Sequence, residues 1–83
     1  MTKDAIEQAY SFLHQKYRVF QYSRDDRQKE DIEYAVTSFV ETMRPDLYDA
    51  ISQGQDDYLF VHSRFAVDLP SAVQRLEQLM ETL

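Results

Sequence analysis

Two histidines are the residues of this chain best suited to proton chemistry, because an imidazole titrates near neutrality. His62 stands beside Ser63, with Asp57 and Asp68 a few positions away. These are the residue types of a nucleophilic triad, but the spacing is wrong for one. Adjacent residues do not face each other on a helix or on a strand. No glycine-flanked nucleophile elbow accompanies Ser63, since the single glycine is Gly54. His62 with a neighbouring carboxylate remains one candidate for a general base. His14 falls among Glu7, Ser11 and Arg18 on the polar side of a helical stretch, where a solvated imidazole is the ordinary outcome.

Metal and phosphate chemistry find less. His14 and His62 lie 48 positions apart, and there is no cysteine, no HExxH and no Asp-rich calcium loop. Asp46, Asp49, Asp56 and Asp57 form an acidic corner whose carboxylates suit hydration at a helix start. One glycine cannot build a phosphate-cradling loop. No catalytic residue, cofactor or metal is therefore expected, and the chain is read as a non-enzyme.

The aromatic residues are the other signal. Six Tyr and five Phe are many for a small helical protein, whose core is usually built on Leu and Ile. Tyrosine favours interfaces because its ring buries area while its hydroxyl stays wet. Tyr22 falls at a turn and Tyr34 off the apolar stripe of its helix. With Tyr48, Tyr58 and His62 they make up the candidate partner surface.

Charge narrows the partner. The net charge is −6, with −2 carried by residues 1–43 and −4 by residues 44–83. Nucleic acid and anionic membranes need a basic footprint, and the sequence has none. A protein partner or a second copy of the chain fits better. No signal-peptide core and no run approaching the ~18 apolar residues of a spanning helix is found. A cytoplasmic location is the expectation.

Apolar residues recur every three or four positions from Ala5 to Leu83, with only Gly54, Pro45 and Pro70 as punctuation. This is the helical period. At 83 residues the chain is one domain, residues 1–83, that buries only about 60–65% of its unfolded surface. The first helix is expected over Asp4–Gln21, with two adjacent seams, Ile6-Tyr10-Leu13-Tyr17-Phe20 and Ala5-Ala9-Phe12-Lys16-Val19. Two seams touch two neighbours, so this helix should be central.

Ser23 with Asp26 fits a capping box opening a second helix to Met43, which folds back on the first. Its stripe is Ile32, Ala35, Val36, Phe39, Val40 and Met43, whereas Arg24–Asp31 carry nothing apolar. Pro45 begins a short third helix to about Gln53, and Gly54 suits a left-handed cap.

Residues 56–67 read either as a strand or as a buried helix. With no partner strand elsewhere, a helix or an irregular packed segment is preferred. A pairing of two copies through Tyr58–Val67 is the alternative. Asp68 and Pro70 then cap a last helix through Val73, Leu76, Leu79, Met80 and Leu83.

The expected fold is all-α, a compact bundle of four to five helices with a long N-terminal helical hairpin. The expected function is a small protein-interaction module: an adaptor, a regulator or a subunit of an assembly. The alternatives are an acidic, immunity-type inhibitor of a basic partner, and a small enzyme using His62 with a neighbouring carboxylate.

Overall fold

Thr2 accepts a hydrogen bond from the Ala5 N–H at 3.1 Å and so starts the first helix, α1, over Lys3–Tyr22. Three further helices follow in the computed structural model, which describes residues 1–82: α2 over Asp26–Thr42, α3 over Pro45–Ser52 and α4 over Phe65–Thr82. A short 3₁₀ turn, His62–Arg64, leads into α4. The protein is all-α. Leu83, the expected end of the last apolar stripe, lies outside the described residues.

The stripes read from the sequence face the core. Ile6, Ala9 and Leu13 of α1 are buried, as are Ile32, Val36 and Val40 of α2, Leu47 and Ile51 of α3, and Leu69, Ala72, Val73 and Leu76 of α4. Helix α1 is the shared element, packing most extensively on α4 and then on α2. Its two seams serve those two neighbours. On one side Phe12 stacks on Phe39 of α2, with ring centroids 4.4 Å apart. On the other, Phe20 meets Phe65 of α4 edge to face at 5.4 Å. Helix α3 packs on α4 and closes one end. Among the described residues no helix is long and apolar enough to cross a membrane.

Four local expectations need correction. Ser23 does not cap α2. Asp25 does, accepting from the Arg27 N–H at 3.0 Å, while the Ser23 hydroxyl bonds Gln28 at 2.7 Å. Asp25 stands directly before the first helical residue and offers an acceptor at shorter reach. The left-handed cap of α3 is Gln53 at φ 51°, and Gly54 follows at φ 81°.

The third correction concerns α4, which starts one turn before Asp68, so Pro70 lies inside the helix. Proline there removes the donor for the Ala66 carbonyl, and Ala66 is exposed, so water can take its place.

The fourth concerns residues 56–67, where the strand and the single buried helix are set aside and the irregular packed segment holds up to Arg64. Turns run through Phe60, the 3₁₀ turn follows, and Phe65–Val67 already belong to α4. Asp57 and Leu59 adopt positive φ, 54° and 70°. For a bulky residue such as leucine that conformation is costly. The Leu59 N–H is held by the Asp68 carboxyl at 3.1 Å. Asp68 is itself only 3% exposed and also accepts from the Gln55 amide at 3.3 Å. Asp68 thus ties the α3–α4 connection to α4 instead of capping a helix.

Candidate functional site

The five candidate surface residues separate into three groups. Tyr22 and Tyr34 are 77% and 75% exposed. Both rings point away from the core, Tyr22 from the last turn of α1 and Tyr34 from the middle of α2. Tyr34 sits near-opposite Ile32, Val36 and Val40 on the helix wheel, among Glu30, Thr37 and Glu41. Tyr22 borders an open groove of about 500 Å³ that also takes in His14, Arg18, Val19, Ser23 and Gln28. Val19 contributes a second exposed apolar side chain there.

Tyr48, on α3, and Tyr58, in the α3–α4 connection, are bonded to each other. Tyr48 is half-buried, its hydroxyl donating to the Tyr58 carbonyl at 2.9 Å and its ring tilted against Phe60. Burial pushes its hydroxyl pKa up, and the carboxylates of Asp57, Asp68 and Asp49 add to the shift. Tyr58 is 0% exposed, so its place on the candidate surface is corrected: this ring is core. Its hydroxyl donates to the Asp68 carbonyl at 3.1 Å and shares a close hydrogen bond with Ser71. The Arg75 guanidinium covers the ring at 5.1 Å and donates to the Ile51 carbonyl. Burial raises the Tyr58 pKa too.

The same packing corrects the expected Tyr58–Val67 contact surface. Tyr58, Leu59 and Phe65 turn inward, and only Phe60 and Val67 remain as exposed large apolar side chains of the segment. The Tyr58 hydroxyl and carbonyl and the Leu59 N–H find their partners within the chain.

His62 is the site that the sequence left undecided. Its side chain is 83% exposed, and Nδ1 bonds both oxygens of Glu33, at 3.0 and 2.9 Å. Glu33 projects from α2, 29 residues earlier in the chain. That hydrogen bond, then the Glu33 charge and more weakly that of Glu30, hold the imidazole pKa above its ordinary value. Beside the pair lies a cleft of about 410 Å³ between the end of α1, the first turns of α2 and the start of α4. Phe20, Phe65 and Ala66 supply its apolar wall, and Asp26, Lys29, Glu30, Glu33 and His62 its polar rim. The Lys29 ammonium sits over the Phe20 ring at 5.6 Å, a cation–π contact.

A histidine whose Nδ1 faces a carboxylate is oriented as a general base is, with Nε2 left to take a proton. A mechanism of the serine or cysteine type also needs a hydroxyl or thiol within hydrogen-bond reach of that nitrogen. No lining residue of the cleft carries one. The geometry supports an oriented, titrating ion pair at the mouth of a cleft.

The Asp68 network was missed at the sequence level, and the only signal for it was an aspartate near a proline, which reads equally as a cap. The acidic corner is partly neutralised. Asp46 binds the N-terminal amine at 2.8 Å and Arg44 at 3.3 Å, and these contacts, the amine foremost, lower its carboxyl pKa to about 2. Among the described residues no group of three or more His, Cys, Asp or Glu is placed to hold a metal ion. Comparison with protein-family models, with curated proteins and with solved structures finds no match to this chain.

Proposed function

We propose that this protein is a small interaction module that binds another protein through the outward tyrosines of its helical hairpin. The observation carrying this reading is the exposure of Tyr22 and Tyr34, 77% and 75%, on a chain that buries Tyr58 completely. Neither hydroxyl has a hydrogen-bond partner within the described residues. A large amphipathic ring left in water is ready to anchor a partner at small cost in side-chain entropy. The Val19 side chain and the groove beside Tyr22 extend that surface with apolar area. The net charge of −6 favours a partner with a basic surface and speeds the encounter.

The experiment compares the wild-type chain with the Tyr22→Ser/Tyr34→Ser variant as baits in extract from the source cell. Both side chains lie outside the core, so the variant should keep its helical circular dichroism. The expected result is a discrete protein retained by wild type and lost by the folded variant. Equal retention by both would refute the tyrosine surface.

A second reading, an acidic inhibitor of a basic partner, draws on a different observation. Asp49 and Asp57 are exposed and close enough to Tyr48 to act on its hydroxyl. Binding of that kind loses its affinity steeply with added salt, whereas binding anchored by the tyrosine rings is slowed in its encounter but keeps most of its contact energy.

A further inference from the structure

The first six residues of α2, Asp26–Asp31, bury no side chain, and the helix reaches the core only at Ile32. That end of α2 is held by few contacts. Ser23 bonds Gln28 at 2.7 Å, Lys29 covers Phe20 at 5.6 Å, and Glu33 bonds His62. Among the described residues, the His62–Glu33 pair is the sole side-chain hydrogen bond joining α2 to the chain beyond Met43. It spans the mouth of the cleft above Phe20 and Phe65.

We propose that the His62–Glu33 pair is a proton-controlled clasp. It holds the N-terminal half of α2 against the start of α4 while the imidazole is charged, and it loosens that half, opening the cleft, when the imidazole is neutral.

The surroundings of His62 favour this behaviour. It bonds Glu33, and from α2 the cleft it shares is lined further by Glu30, Asp26 and one cation, Lys29. From α1 and α4 that cleft is lined by Phe20, Phe65 and Ala66, which carry no charge. The nearby Arg64 donates to the Asp56 carbonyl at 2.9 Å and leaves His62 the clasp's own cation. When His62 loses its proton, Nδ1–H can still donate to the Glu33 carboxylate, but the Coulomb attraction between imidazolium and carboxylate is lost. The raised imidazole pKa agrees in sign: the clasp is closed at low pH and weakens as pH rises through that pKa.

The test is amide hydrogen exchange on the full chain at about pH 5.5 and about pH 8.5, which bracket the ordinary histidine pKa of about 6.5. Protection factors are referenced to intrinsic rates, which removes the base catalysis of exchange itself. In wild type, protection across residues 28–33 should fall about two- to fivefold between the two pH values, the range an exposed ion pair allows. Leu13 and Leu69, in the core, should not change. His62→Lys keeps a cation at both pH values and should abolish the fall. Glu33→Gln should show low protection at both. His14 is present in every variant, so its titration cannot imitate the pattern. Equal protection in wild type at both pH values, or the same fall in His62→Lys as in wild type, would overturn the clasp.

Discussion

Replacing Asp68 with alanine removes the side chain that fixes the α3–α4 connection. The Leu59 N–H loses its acceptor at 3.1 Å and the Gln55 amide loses its own at 3.3 Å. Leu59 is 0% exposed, so no water stands ready to replace the carboxyl. A buried donor left unpaired costs about 1–3 kcal/mol. The Gln55 bond, half in solvent, adds less, which brings the total to about 2–4 kcal/mol. Leu59 also sits at φ 70°, and that conformation loses its main restraint with the acceptor. An 83-residue domain has roughly 4–12 kcal/mol in all, from typical stability per residue. Urea denaturation followed by circular dichroism should place the midpoint about 1–4 M lower, for slopes of about 1–2 kcal/mol per molar. Asp68→Asn retains one acceptor oxygen and should lose less than half as much. If Asp68→Ala unfolds within about 0.5 kcal/mol of wild type, as an ordinary surface substitution does, then Asp68 does not hold the connection and the buried network is misassigned.

Further outcomes follow from the core, the clasp and the charge. Leu13 is fully buried, so Leu13→Ala should cost about 3–5 kcal/mol, whereas Phe39, half-buried but stacked on Phe12, should cost about 2–3 in Phe39→Ala. Thermal denaturation that ranks them the other way would refute the burial order. Because its folded pKa is raised, His62 contributes stability that is present in full below the unfolded value of about 6.5 and is lost as pH rises through the folded one. Proton NMR should find the His62 titration above that value in wild type and back near it in Glu33→Gln. Binding to DNA or RNA at physiological salt should be weak or undetectable, since the chain carries fifteen acidic against nine basic side chains. Micromolar affinity in a filter or anisotropy assay would contradict that.

The sequence exposes what is periodic and conceals what is distant. The stripes of α1 and α2 run through several helical turns, long enough for a 3.6-residue period to stand out, and their members Leu13 and Val36 are 0% exposed. The apolar-free start of α2 was equally legible and is where that helix leaves the core. Helix starts were harder, because several residues compete for the same backbone donors. Ser23 and Asp25 can each cap α2, and distance to the Arg27 N–H decided between them. Asp68 beside Pro70 carries a capping signature, yet its side chain points inward to Leu59, a contact that no local pattern encodes. Tyr58 offered an aromatic in an ambiguous run. Its burial depends on Ser71 and Arg75, 13 and 17 positions away in sequence. The His62–Glu33 pair bridges 29 residues, far beyond the three- or four-residue reach of helical side-chain pairs. The functional candidates were therefore visible by residue type, but their exposure and their partners were fixed by tertiary packing.

Photo-crosslinking bears most directly on the outward tyrosines as the recognition surface. A benzophenone amino acid is placed at position 22, at position 34, or at the exposed Gln74 of α4 as a control. Each version of the full chain is irradiated in its source cell. Positions 22 and 34 should trap a discrete protein in a band that position 74 does not give. Bands of the same kind from all three positions, or none from 22 and 34, would contradict a partner surface on the helical hairpin.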